Sequence, residues 1–316
     1  MRNSFASELT AIASENDKVV LLSGDIGNRL FDDYKKKFPN RFYNCGVAEA
    51  NMTGVAAGMA LSGLHPITYT ITPFATTRCL EQIRVDLCYH NLPAVIVGVG
   101  AGLSYAGLGA THHSCEDIAL MRALPNMTVI CPGDAIEVRH SLREALKLKG
   151  PVYIRLGKKG EPLIHKQNVE FTLGKAISIR EGDDVCLLAT GNILPLAAEV
   201  GDRLAAGGIS TRVLSCHTVK PLDIEILTEV FEQYPLVVTL EEHSLIGGFG
   251  SAVAEWLVDQ PVRKARLLRL GTRDEFCHHA GGQNYARKYF SLSVEDILQK
   301  ILNLYQIDNA RKHIPC

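Results

Sequence analysis

Two hydrophobic patterns alternate along the first half of the chain. Short β-branched runs predict strands: VVLLS (19–23), RFYNC (41–45), HPITYTI (65–71), AVIVGV (94–99), TVICP (128–132) and VYIRL (152–156). Several are apolar throughout, the pattern of strands covered on both faces. Between them apolar residues recur at helical spacing, as Phe5, Leu9 and Ile12 do near the start. LEQIRVDLCYH (80–90), EDIALMRAL (116–124) and AIEVRHSLREALKLK (135–149) read as helices, the last with a stripe of Val138, Leu142 and Leu146. This alternation predicts a parallel α/β domain.

The polar stretch LGKKGEPLIHKQ (156–167) carries Gly and Pro and reads as a linker. A second α/β series follows. Its strands are DVCLLATG (184–191), STRVLS (210–215), LVVTLEE (236–242) and ARLLRLG (265–271). Its helices run from about Leu194 to Leu204, over 223–233, through the Gly-started GGFGSAVAEWLVDQ (247–260) and through VEDILQKILNLY (294–305). The expected fold is α/β with two domains, 1–165 and 166–316, each a mostly parallel sheet flanked by helices.

Composition narrows the function. A net charge of −1 over 316 residues, with no basic block, argues against nucleic acid as a partner. No apolar run is long enough to span a bilayer, and the N-terminus lacks a signal-type apolar core. Nine Cys without a CxxC indicate neither a zinc site nor a disulfide framework, so a reduced cytoplasmic protein is expected. VGVGAGLSYAG (97–107) suggests a dinucleotide loop, but its spacing is not GxGxxG. A ligand loop at the carboxyl end of a strand is the alternative.

The segment CGVAEANMTGVAAGMALSG (45–63) has one carboxylate, Glu49, near the start of a small-residue helix. A buried acid there is costly unless it has a partner. The bland reading is a helix N-terminal acid favoured by the macrodipole.

Several segments together resemble the transketolase family. CGVAEANMTGVAAGMALSG, PFATTRCLEQIR, GATHHSCEDIALMRALPNMTVICPGD and GPVYIRLG resemble its pyrimidine-binding domain; ATGNILPLAAEV, HTVKPLD and LEEHSLIGGFGSAVAE resemble its C-terminal domain. The resemblance spans nearly the whole chain and keeps segment order. It implies thiamine diphosphate, with Glu49 bonded to N1′ of the aminopyrimidine ring. A carboxylic acid there shares the proton that lets the cofactor's own 4′-imino group act as a base. Burial among Ala, Val and Met should disfavour the charged form of Glu49.

The same resemblance makes Phe74 an apolar wall for the ring, with Tyr69 in reserve, and makes Asp25 a shaper of the cofactor cavity. His112 of GATHH would point at the reacting carbons, where an imidazole can handle substrate protons. Arg155 would grip a substrate phosphate, with Arg78 and Arg29 as further candidates for an anionic entrance. Each has a plainer alternative: a core Phe, an Asx turn at Asp25, a surface ion pair at Arg155. The His112–His113 doublet could be a metal site, but Glu116 and Asp117 are better read as the start of the next helix. His113 stands where the family has Gln. Gly100 and Leu108 stand where ordinary transketolases carry a His and an acid that hold the donor, which implies an altered donor.

The 316 residues contain no GDG, the family's anchor for diphosphate and metal. The resemblance therefore implies the second half of a split transketolase, with Mg²⁺ and diphosphate held by a partner subunit bearing GDG, in an α2β2 assembly acting on ketose and aldose substrates. Two other readings stay open: the β subunit of a 2-oxo-acid dehydrogenase, and a catalytically degenerate partner-binding homologue.

Overall fold

The computed structural model describes residues 1–27, 29–166, 169–261 and 265–312, apart from the side chains of 306–312. The first half carries β1 (Val19–Ser23), β2 (Phe42–Asn44), β3 (His65–Ile71), β4 (Val95–Val99), β5 (Thr128–Ile130) and β6 (Val152–Leu156). Its helices are α1 (Arg2–Glu15), α2 (Asp32–Lys37), α3 (Glu49–Leu61), α4 (Thr72–Ala75), α5 (Leu80–Gln82), α6 (Asp117–Ala123) and α7 (Ala135–Ala145). The predicted helix over 80–90 is α5 followed by a π-helical stretch, Ile83–Tyr89.

The second half carries β7 (Ile177–Arg180), β8 (Val185–Ala189), β9 (Thr211–Ser215), β10 (Thr218–Lys220), β11 (Leu236–Ser244) and β12 (Arg266–Thr272). Its helices are α8 (Leu194–Ala206), α9 (Ile224–Gln233), α10 (Phe249–Val258), α11 (Gln283–Tyr289) and α12 (Val294–Lys312). Gln167, the last residue of the predicted linker, lies outside the described residues.

These strands form two mostly parallel sheets flanked by helices. The larger runs β10-β5-β6-β4-β3-β1-β2 and the smaller β12-β11-β8-β9-β7. Within the larger sheet every pair is parallel except β10–β5. In the smaller only β7–β9 is antiparallel. β1, β4, β6 and β8 are buried at every position, which explains why they are mostly apolar.

β10 crosses between the halves. It follows β9 in the chain yet pairs with β5 of the other sheet, Thr218 opposite Ile130 and Lys220 opposite Val129. Cys131 N donates to His217 O at 2.7 Å beside it. A hydrophobic core continues across the junction, from Ile118, Met121 and Tyr153 to Cys186, Leu214 and Phe249. The halves thus share core and sheet, and the loops at the carboxyl ends of the large sheet sit on a fixed base.

Candidate active site

The carboxyl ends of β1, β2, β3, β4 and β6 lead into the loops that carry most of the candidate residues. Such ends are where parallel α/β sheets receive ligands. Glu49 follows β2 and opens α3, Phe74 and Arg78 follow β3, and His112 lies on the long loop after β4.

Glu49 is 2% exposed. Its backbone carbonyl accepts from Thr53 Oγ1 at 2.9 Å, and its carboxylate is paired rather than lone: Arg78 Nη1 donates to Oε2 at 2.9 Å. Arg78 also lays its guanidinium over the Phe74 ring, 3.9 Å from the centroid. Phe74 in turn meets the His112 ring edge-on at 5.3 Å, and His112 meets Tyr105 at 6.2 Å. A contact chain thus runs Glu49–Arg78–Phe74–His112–Tyr105.

Gly24 packs closely beside Glu49. A Cβ on Gly24 would meet Thr70 Oγ1 at 2.9 Å and Glu49 Cγ at 3.5 Å. Thr70 Oγ1 and Thr72 Oγ1 are both buried without a hydrogen-bond partner. Asp25, next to Gly24, has φ 56° and accepts from Asn44 Nδ2 at 2.9 Å, which pins the turn after β1. The His112 Nδ1 pairs with Thr111 Oγ1 at 2.9 Å. Burial, helped by His113 and Arg78, holds the His112 ring below its ordinary pKa, so it is neutral near pH 7.

The structure does not bring every expected residue to this cluster. Arg155 is 2% exposed, and its Nε and Nη2 are bonded within the protein. Nε and Nη2 reach Asp117 at 2.7 and 3.1 Å, and Nη2 also reaches the carbonyls of Ser114 and Glu242 at 3.0 and 2.9 Å. Tyr153 OH adds a bond to Asp117 at 2.6 Å. Burial alone would raise Asp117; the Arg155 charge outweighs it and holds Asp117 below its usual range. The phosphate-gripping expectation for Arg155 is therefore corrected: its guanidinium is an internal tie between the halves. Asp117 does begin α6, as expected, but its carboxylate is committed to that tie.

Arg29 lines a different cleft, between α1 and α2, with Thr10, Asp33 and Lys37. Tyr69 is in the core, stacked on Phe5 at 5.5 Å and edge-on to Phe31 at 4.9 Å, and offers no wall to a ligand. His113 is buried and its Nε2 lies 3.1 Å from Ala106 O, so it braces the loop.

The second half locks the same loop. Glu242 is buried and accepts from Leu103 N at 3.0 Å, from Asn192 Nδ2 at 3.1 Å, and from Gln283 and Arg287. His243 Nε2 accepts from Ala119 N at 3.3 Å. Neither lock is visible in the sequence, since the partners lie 124 to 139 residues away.

Comparison with known proteins identifies the family. The family model described as transketolase, pyrimidine binding domain, matches residues 1–161, and that described as transketolase, C-terminal domain, matches 174–297. This chain belongs to the transketolase family. It is 38% identical over 313 residues to the 6-deoxy-6-sulfo-D-fructose transketolase subunit SqwH of a Clostridium species, covering 98% of this chain and 96% of that protein. It is 35% identical over 303 residues to a subunit of the apulose-4-phosphate transketolase of Phocaeicola vulgatus, covering 95% and 96%. A solved structure described as a split gene transketolase, inactive beta4 tetramer, superposes with a TM-score of 0.87 at 36% identity, covering 97% of this chain and 98% of that one.

Transketolases imply thiamine diphosphate, and the residues present fit its aminopyrimidine end. A buried carboxyl, the orphaned Thr70 hydroxyl, a glycine whose place no side chain could take and, through Arg78, a half-buried aromatic ring meet at one loop cluster.

Proposed function

We propose that this chain is the C-terminal subunit of a two-subunit, thiamine diphosphate-dependent transketolase that moves a two-carbon ketol unit between sugar or sugar-phosphate substrates. The observation that carries this is the buried Glu49 carboxyl at the mouth of α3, joined by contacts to Phe74 and His112. Bound thiamine diphosphate supplies the carbon nucleophile and electron sink of the reaction. Glu49 holds a proton at N1′ of the aminopyrimidine; Phe74 gives that ring an apolar wall; Asp25 shapes the cavity. His112, neutral near pH 7, moves a proton at a substrate hydroxyl.

The diphosphate and Mg²⁺ are held by a partner subunit carrying the GDG motif, in an α2β2 assembly in the cytoplasm. The relatives named as transketolase subunits, each covered to 96% of its length, support this part. We place the domain boundary near residue 165. The relatives named as transketolase subunits also favour this over a 2-oxo-acid dehydrogenase β subunit.

Calorimetric titration with thiamine diphosphate and Mg²⁺ tests the proposal, on the chain alone and co-expressed with a GDG-bearing chain. Tight binding and turnover are expected only with both chains. Micromolar binding and turnover by the chain alone would overturn the two-subunit reading.

A further inference from the structure

The β4 loop that carries His112 is closed at its two feet. Gly102 N donates to Ser114 O and Ser114 N donates to Gly102 O, each at 3.0 Å. His112 stands two residues before the Ser114 foot. Within the loop His112 N donates to Gly109 O at 2.9 Å, and Ala106 N donates to Leu103 O at 3.0 Å. The place of His112 therefore follows the place of the Gly102–Ser114 bridge.

That bridge rests on Glu242, which belongs to the other half and lies near the carboxyl end of β11. Its carboxylate accepts from Leu103 N, one residue past Gly102, at 3.0 Å. Its carbonyl accepts from Arg155 Nη2 at 2.9 Å, and the same Nη2 reaches Ser114 O at 3.0 Å. Glu242 thus holds one foot directly and shares Arg155 with the other. Gly102 makes room for it: φ is 60°, and a Cβ there would lie 2.7 Å from Glu242 Cβ, O and Oε2.

The carboxylate is itself fixed. Gln283 and Arg287 of α11 donate to it, and so does Asn192 after β8. Asn192 Nδ2 also donates to Ser104 Oγ at 2.9 Å, which ties a second residue of the loop to the same group. A buried acid with all these donors satisfied holds one arrangement, and replacing it leaves several of them unpaired. Glu49, in contrast, has its partners Thr53 and Arg78 within the first half.

We propose that Glu242 is a positioning residue for ketol transfer: through its carboxylate the C-terminal half sets the place of the His112 ring, while Glu49 lies outside its control. The inference rests on the transketolase reading of the site. Such a support matters because a displacement of about 1 Å can cost about 10²-fold in rate.

The test uses the assembled two-subunit enzyme loaded with thiamine diphosphate and Mg²⁺. Two quantities are read. One is hydrogen exchange at the cofactor thiazolium carbon without donor. The other is ketol transfer from 3-hydroxypyruvate to glycolaldehyde, small probes without a sugar tail. If the wild type lacks either, the transketolase reading fails, independently of Glu242. Glu242→Gln sets an amide N–H among the donors that now meet a carboxylate, so the loop foot should shift. Its kcat should fall by about 10- to 100-fold, with KM changed less than about threefold and exchange within about twofold of wild type. Gly102→Ala disturbs the same contact from the loop side and should give the same split; it decides the matter should Glu242→Gln fail to fold. A purely structural role would lower exchange and transfer together. The inference is overturned if exchange falls in step with transfer, or if the folded variant keeps kcat within about twofold of wild type.

Discussion

Arg78 Nη1 lies 2.9 Å from Glu49 Oε2, and joins a side chain that is 44% exposed to one that is 2% exposed. The pairing answers the cost of a lone acid in an apolar helix start. It also sets a competition, because the carboxyl that Arg78 holds is the one the aminopyrimidine needs.

Arg78→Met should therefore tighten cofactor binding. Without the guanidinium, Glu49 Oε2 is free to meet a ring nitrogen. Calorimetry on the assembled enzyme is expected to show thiamine diphosphate affinity increased by about two- to tenfold. A loss beyond tenfold would mean that Arg78 holds cofactor instead of competing with it.

The Arg155–Asp117 tie gives a stability prediction. Removing one member of a fully buried pair leaves the other charge without compensation, at a cost of about 3–5 kcal/mol. Asp117→Ala should lower the urea midpoint accordingly, and Arg155→Met should do the same. Should Arg155→Met unfold like the wild type while raising the KM of an anionic donor tenfold, the phosphate role would return to Arg155.

His243 makes the junction between the halves sensitive to acid. Burial pushes it down to about 4 in the folded state, against 6.5 for an ordinary His. Its Nδ1 pairs with Ser244 O at 2.8 Å and its Nε2 accepts from Ala119 N, so only the neutral ring serves both. The unfolded chain binds the proton first. The contribution is thus complete above about pH 6.5 and is lost as pH falls towards 4, with a slope near 1.4 kcal/mol per pH unit. His243→Gln should be less stable at pH 8 by about 1–3 kcal/mol, having lost one buried bond. Its stability should also vary less between pH 6.5 and 4. Parallel pH profiles for variant and wild type, from chemical unfolding, would contradict this.

The strands that sequence made legible are those whose burial is complete. β1 and β6 fall at the predicted limits because both faces are covered and most positions are apolar, and β3 because its interior is buried and rich in β-branched residues. β10 was not legible: three residues pair with a strand some 90 positions away, and nothing local requires it. Short polar α2 and α11 carry too little periodicity to stand out. Glu49, Phe74 and His112 were each visible as chemistry, and Arg78 was visible as a cation. That Arg78 would cap Glu49, and that Arg155 would turn inward to Asp117, depends on residues 29 and 38 positions apart. Tyr105 gave no signal beyond the glycine at position 100 that accommodates its ring.

The role of Glu49 is the central claim, and hydrogen–deuterium exchange at the thiazolium carbon of thiamine diphosphate tests it most directly. The measurement compares wild type with Glu49→Gln in the assembled enzyme, with fold and cofactor loading checked by circular dichroism and calorimetry. Gln can still hydrogen-bond N1′ but cannot share a proton with it. Proton transfer by a positioned group is worth about 10²–10⁴-fold, so exchange in Glu49→Gln should fall by at least about 10²-fold. Exchange within a fewfold of wild type, in a loaded and folded variant, would contradict the assignment of Glu49 as the cofactor's acid.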